Sequence, residues 1–296
     1  MRRLVPAALA ATLAVAGVRA DGQVPVFTSA TQTVSVYATA LQPNGHLATD
    51  LTKDDFEVLD SGKPQPIEIF SSEIQPINIV IMLDMSGSMA SSLQLLRQGA
   101  VQLFTNLLPA DKARVGSFAD QILLSDKFTN DRDELIHSLY LDLPQSGRTP
   151  LWGAVSRGMT ALDKLDGRRV VLVFTDGNDT VHQPSLQEVT HRAQAQGFMI
   201  YAIGLWNRIG YTTVAPDPGL RTLASETGGG YIELRTANGL GPAFAQVADE
   251  LHRQYLLGFR TSATDGKLHP LDVHVKREGV SVRARKTYMA PKGEGG

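Results

Sequence analysis

The chain has no cysteine. That excludes disulfides and a lipid-modified N-terminal cysteine, so stability must come from a packed core. It also lacks a strong charge of either sign. With 28 basic and 30 acidic residues the net charge is −2, which gives no footprint for nucleic acid. Beyond the first twenty residues no apolar run is long enough to cross a membrane. Low-complexity tracts and internal repeats are missing. So are the Gly-x-Ser-x-Gly elbow, the phosphate loop Gly-x-x-x-x-Gly-Lys and the zinc motif His-Glu-x-x-His. Seven histidines are scattered. His191, His269 and His274 read as solvated or edge residues because no metal-ligand spacing joins them.

What is there is ordinary globular material: 296 residues, 43% hydrophobic and 20% charged, enough for one large domain and a smaller one. Residues 1–20 stand apart. Arg2 and Arg3 precede an apolar core from Leu4 to Val18, and Val18-Arg19-Ala20 fits a small-x-small cleavage site. We read a signal peptide rather than a retained anchor. The expectation is an exported protein, periplasmic or extracellular, with no transmembrane segment after cleavage.

Residues 21–75 read as β structure. Thr31 to Ala38 alternates with period two, Pro43-Asn44-Gly45-His46 marks a turn, and Phe56–Leu59 and Pro66–Phe70 flank an Asp60-Ser61-Gly62 turn. From 76 to 254 strands alternate with helices. Ile79–Leu83, Arg114–Phe118, Arg169–Thr175, Phe198–Gly204 and Gly230–Leu234 are the strands. Gln121–Leu124 adds an antiparallel edge. Helices are expected after Ser91 or Ser92, from Asn130 to Tyr140, from Leu151 to Leu165, after the Ser185/Glu188 capping box, from Leu220 to Thr227 and from Pro242 to Arg253. Residues 255–290 return to β grammar, and 291–296 read as a disordered tail. The expected architecture is α/β: a doubly wound, mostly parallel sheet inserted in a small β-sandwich built from the N- and C-terminal flanks.

One stretch organises the rest. Ile79 to Leu83 is a continuous apolar run, as in a strand buried on both faces. It ends in Asp84-Met85-Ser86-Gly87-Ser88-Met89. Ligands of open α/β sheets bind at strand carboxyl ends. An acid and two hydroxyls at alternate positions there suit a hard divalent cation such as Mg²⁺. Taken alone, the serines read equally well as helix caps. Asp176 ends another central strand, and Thr149 lies in a loop entering a helix. Thr149-Pro150 is also an ordinary helix start, with Thr as cap and Pro at the first helical position.

Asp84-Met85-Ser86-Gly87-Ser88-Met89, Gly147-Arg148-Thr149-Pro150 and Thr175-Asp176-Gly177 resemble, in order, the motif pieces of von Willebrand factor A domains. The resemblance covers about Pro76 to Arg253, and the flanks resemble a bacterial exported subfamily. It implies a metal-ion-dependent adhesion site holding Mg²⁺, with Mn²⁺ or Ca²⁺ as alternatives. Ser86, Ser88 and Thr149 would be hydroxyl ligands; Asp84 and Asp176 would bind directly or through water. Neutral hydroxyls leave the cation electrophilic toward a partner protein's Asp or Glu carboxylate. Arg148, beside the metal threonine, departs from the family pattern. With Trp206, Arg208 and Tyr211 it forms the expected recognition rim, Trp, Tyr and Arg being enriched at binding hot spots. The expected function is non-enzymatic protein binding. Two alternatives stand: a Mg²⁺-dependent phosphohydrolase with Asp84 as nucleophile, although Ser86 occupies the place of its second acid, and a metal-free structural module of an envelope assembly.

Overall fold

A computed structural model describes residues 33–140, 147–209 and 211–293. The expected leader at 1–20, Gln145 and Ser146 of the expected helix-entering loop, and 294–296 of the expected tail lie outside the described residues. In chain order, β1 (Thr33–Leu41), β2 (Phe56–Asp60), β3 (Lys63–Gln65) and β4 (Ile67–Ser71) precede the α/β unit. That unit runs β5 (Ile77–Asp84), α1 (Leu93–Asn106), β6 (Lys112–Phe118), β7 (Ile122–Leu124), α2 (Arg132–Ser138), α3 (Leu151–Leu162) and β8 (Arg168–Thr175). It continues through α4 (Leu186–Gln196), β9 (Met199–Leu205), β10 (Asn207–Ile209), β11 (Thr212–Val214), α5 (Gly219–Glu226), β12 (Tyr231–Leu234) and α6 (Leu240–His252). Four strands follow: β13 (Tyr255–Arg260), β14 (Leu268–Val275), β15 (Ser281–Arg283) and β16 (Thr287–Met289).

The central sheet has the order β12-β9-β8-β5-β6-β7, parallel except for the edge strand β7. Side chains alternate faces along each strand. Ile79, Ile81 and Leu83 of β5 pack with Leu172 and Phe174 of β8 against Leu96 and Phe104 of α1 and Phe244 and Val247 of α6. Val80 and Met82 face the other way, with Val171 and Val173, against α3, α4 and α5. Both faces are therefore apolar, which is why β5 and β8 read as continuous apolar runs rather than alternating ones. Gly99 lets α1 and α6 approach closely: a Cβ there would lie 2.8 Å from the Phe244 ring.

The flanks form two antiparallel four-stranded sheets, β15-β1-β13-β4 and β16-β14-β2-β3. Their shared core includes Val36, Phe56, Leu257, Phe259 and Tyr288. Strand β4 leads into the α/β unit and β13 leads out of it, and the two are hydrogen-bonded neighbours, with Leu256 opposite Ser71. The α/β unit is thus inserted between adjacent strands of one sheet.

Several expectations are corrected here. The Asp60-Ser61-Gly62 turn leads into β3, which pairs with β2, whereas Ile67–Ser71 crosses to the other sheet. Turn chemistry identified the bend but not the strand pairing. The helix from Leu151 stops at Leu162 rather than Leu165. The loop after β9 contains a hairpin, β10 against β11. Of the expected disordered tail, Lys292 bridges to Asp265 and the Gly293 N–H donates to the Thr264 carbonyl at 2.8 Å. Unpaired backbone at the 264–266 turn supplies those partners.

Candidate metal centre

Asp84 ends β5 with a fully buried side chain. Its Oδ2 accepts a hydrogen bond from Thr175 Oγ1 of the neighbouring β8 at 2.6 Å, and its Oδ1 accepts from the Ser86 N–H at 2.9 Å. The chain then leaves the strand. Ser86 is extended and precedes a 3-10 turn over Gly87–Ser91. Strand-like alternation does not continue to Ser88; the turn brings the hydroxyls together instead, with Ser86 Oγ and Ser88 Oγ 3.0 Å apart. Ser88 Oγ donates to Asp176 Oδ1 at 2.8 Å. Asp84, Ser86, Ser88 and Asp176 are therefore joined in one run across the carboxyl ends of β5 and β8.

Thr149 is buried, just before α3. It does not cap that helix. Pro150 holds the N-cap position and the helix begins at Leu151, as expected, so the alternative reading with Thr149 as cap and Pro150 as first helical residue does not hold. The backbone of Thr149 is occupied elsewhere: its N–H donates to Thr180 Oγ1 at 2.8 Å, and its carbonyl accepts from the Thr180 N–H at 3.0 Å. Among the described residues nothing hydrogen-bonds the Thr149 hydroxyl, which is left for a ligand. Its hydroxyl lies near the end of β8, since a Cβ built at Gly177 would be in ordinary contact with both Thr149 Oγ1, at 3.9 Å, and Thr175 Oγ1, at 4.0 Å.

Sequence reasoning missed the supporting residues. Thr175 orients Asp84 from within a strand that reads as pure core. Asp179 accepts from the N–H groups of Trp152 at 3.3 Å and His182 at 2.5 Å, and Asp217 Oδ2 accepts from the Asp179 N–H at 3.2 Å. The signal available for Asp179 and Asp217 was their tendency to bond backbone N–H groups in turns.

The electrostatics suit a cation. Burial pushes Asp84 above its ordinary value, opposed by the hydrogen bonds from Thr175 and Ser86. Burial, joined by the nearby Asp84 charge, pushes Asp176 up to about 6, against the lowering effect of Ser88. No ion pair among the described residues reaches either acid. Two desolvated carboxylates close together, with no basic side chain among the described residues paired to them, make a hard-oxygen set that a divalent cation would neutralise. Among the described residues no group of three or more His, Asp or Glu could hold a metal. A site here depends on hydroxyls together with two acids, and these residues fit one.

The rim is uneven. Arg148 is 67% exposed, with Nε 3.7 Å from Asp120 Oδ1. Tyr211 is fully exposed in the turn of the β10–β11 hairpin. Arg208 is placed by its backbone alone, in β10. Trp206 departs from the expected rim. Its Nε1 donates to Glu233 Oε1 at 2.6 Å and the Arg235 guanidinium stacks 3.7 Å from its ring, so it is folded onto β12. Trp152 packs beneath the site in the core.

A parallel sheet sandwiched by helices, with acids and hydroxyls at its carboxyl edge, defines the class. The von Willebrand factor type A domain model matches residues 78–245, more than half of the chain, and the chain belongs to that family. No curated protein matches it. Among solved structures, proximal thread matrix protein 1 from the mussel byssus, with a zinc-occupied MIDAS motif, is 15% identical with a TM-score of 0.53. That match covers 65% of this chain and 50% of that one. This chain therefore spans about half the length of the mussel protein. A von Willebrand factor type A protein from Catenulispora acidiphila is 14% identical with a TM-score of 0.50, covering 90% of this chain and 76% of that one. At these identities the likeness concerns the fold.

Proposed function

We propose that this is an exported, non-enzymatic binding protein. A divalent cation, Mg²⁺ by preference, would be held at Asp84, Ser86, Ser88, Thr149 and Asp176, and a partner protein would supply an Asp or Glu carboxylate to it. The observation that carries the reading is the run from Asp84 through Ser86 and Ser88 to Asp176: two buried, uncompensated acids joined through hydroxyls at a sheet's carboxyl edge. The zinc-occupied motif of the mussel protein is consistent with metal at this place in the fold. When bound, the cation supplies a Lewis-acidic anchor for an outside carboxylate. Thr175 and the Ser86 N–H hold Asp84 in place, and Thr180 holds the Thr149 backbone, with no described residue bonded to its hydroxyl. The leader-like residues 1–20 support export. Among the described residues no helix is long and apolar enough to cross a membrane.

The test is an affinity capture from bacterial envelope extract with wild type and Asp84→Ala, each with Mg²⁺ and with EDTA. The reading expects capture by wild type with Mg²⁺ alone. Capture that survives EDTA would sink it and favour the metal-free structural module. Hydrolysis of generic phosphate esters that disappears in Asp84→Ala would favour the phosphohydrolase.

A further inference from the structure

The opposite edge of the central sheet carries an arrangement that the metal reading does not use. Arg168 and Arg169 open β8, Gly197, Phe198 and Met199 lead into β9, and Arg285 reaches in from the chain between β15 and β16. With Ser35 and Tyr37 of β1 they line a cleft of about 60 Å³. One water needs about 10–15 Å³ of such space, so the cleft takes a few water-sized atoms, the size of one tetrahedral oxyanion. Two of its lining residues, Gly167 and Gly197, are exposed. Gly197 takes the left-handed conformation, φ 70°, that ends α4, and a Cβ there would lie 3.5 Å from Arg285 Nη1, in ordinary contact.

No lining residue is acidic. Arg168 is 4% exposed, yet its guanidinium meets only neutral groups: the Leu251 carbonyl at 2.5 Å, the Gln254 side-chain oxygen and the face of Tyr37 at 4.7 Å. Arg285 donates to the Ser35 carbonyl at 2.7 Å. The Nε atoms of both Arg168 and Arg285 are buried without a partner. Arg169 donates to the Gln196 carbonyl at the end of α4 and stacks on Phe198 at 4.4 Å. Among the described residues none of the three arginines forms an ion pair. Asp111, which acts on Arg168 from a distance, is already engaged by His252 and by the N–H groups of Ile77 and Leu108. Burial lowers Arg285 to about 10, relieved only by Tyr37 and Tyr288.

Desolvated cations require a counter-charge, and guanidinium groups present paired donors to oxyanions. We infer that the cleft formed by Arg168, Arg169, Arg285, Tyr37 and Ser35 binds a small oxyanion of the phosphate class. The ligand is either the free ion or the terminal group of a phosphomonoester. The eight-residue strand β8 separates this cleft from the acids at its far end by roughly 25 Å at about 3.3 Å per residue. The two sites therefore do not share ligands.

The test uses the full chain in EDTA, so that phosphate cannot act through a metal. Calorimetry and thermal melts are run with inorganic phosphate, with glycerol phosphate, and with chloride at matched ionic strength. The expected result is saturable one-site binding and a raised Tm with phosphate but not with chloride. Arg285→Gln weakens the affinity by about tenfold or more, the loss expected for a charge-assisted contact. Arg169→Gln weakens it too and covers the case in which Arg285→Gln misfolds. Asp84→Ala leaves it unchanged. Tighter binding of the ester than of the ion assigns the ligand to a terminal group; the reverse order assigns the free ion. No saturable phosphate binding in wild type overturns the inference. So does wild-type affinity in both folded arginine variants.

Discussion

The two ends of the central sheet carry opposite electrostatic deficits. At the carboxyl edge Asp84 and Asp176 are buried with hydroxyls around them and, among the described residues, no basic side chain paired to them. At the amino edge Arg168 is buried and Arg285 half-buried among carbonyls and aromatic rings, with no acid among the described residues paired to them. Burial of a lone charge is expensive, and both edges leave one uncompensated. The contrast with Asp111 is instructive. It too is buried near the amino edge, but His252 Nε2 at 2.8 Å, the Leu108 N–H at 2.7 Å and the Ile77 N–H at 3.0 Å satisfy it. Charges with internal partners are structural; charges without them are where a ligand of the opposite sign has a reason to bind.

Four substitutions can break or sharpen that contrast. The largest effect is expected from the satisfied charge. Asp111→Ala strands two backbone donors and His252, and should lower unfolding free energy in urea by about 3–5 kcal/mol. Burial raises the Asp111 pKa, but the bonds from His252, Leu108 and Ile77 outweigh it and the net shift is downward. Its stabilisation is thus fully present above the ordinary carboxylate range and is lost as pH falls through the depressed value. Denaturation curves below pH ~4 should show wild type converging on Asp111→Asn.

Next is the unsatisfied acid. Asp84→Ala should fold, and should lose the Mg²⁺-dependent rise in stability, which is about 2.7 kcal/mol when the metal is at a hundred times its Kd. A variant that still gains stability from Mg²⁺ would remove Asp84 from the site. Thr175→Val removes the donor to Asp84 Oδ2 while keeping the shape, and should cost about 1–2 kcal/mol of metal-dependent stabilisation by the same melts. The smallest effect belongs to the exposed hairpin. Tyr211→Ala should change stability by less than about 0.5 kcal/mol while weakening capture of the partner in a pull-down.

Much of the fold was legible because its signals are local. The Ile79–Leu83 run, the capping box joining Ser185 and Glu188 at 2.7 Å and the antiparallel return of β7 follow from neighbouring residues. Strand pairing was less legible. Nothing in Ile67–Phe70 says that its partner is Leu256–Phe259, on the far side of the inserted unit. The site divides along the same line. Asp84, Ser86 and Ser88 lie within one short segment, whereas the role of Thr175 appears only once β8 lies beside β5. The fate of Trp206 was hidden for the same reason, because Glu233 and Arg235 belong to the next strand and its turn. The arginines of the amino edge are distant in sequence and form no motif.

Because β4 and β13 are side by side, the chain enters and leaves the inserted unit at one place, and further ties fasten the unit to the sandwich: the Thr227–Arg285 bridge, the Lys286 N–H to the Glu226 carbonyl at 3.1 Å and the Arg168 guanidinium on the Tyr37 ring. Loosening the sandwich would therefore loosen the sheet it carries, and the two should melt in one cooperative step.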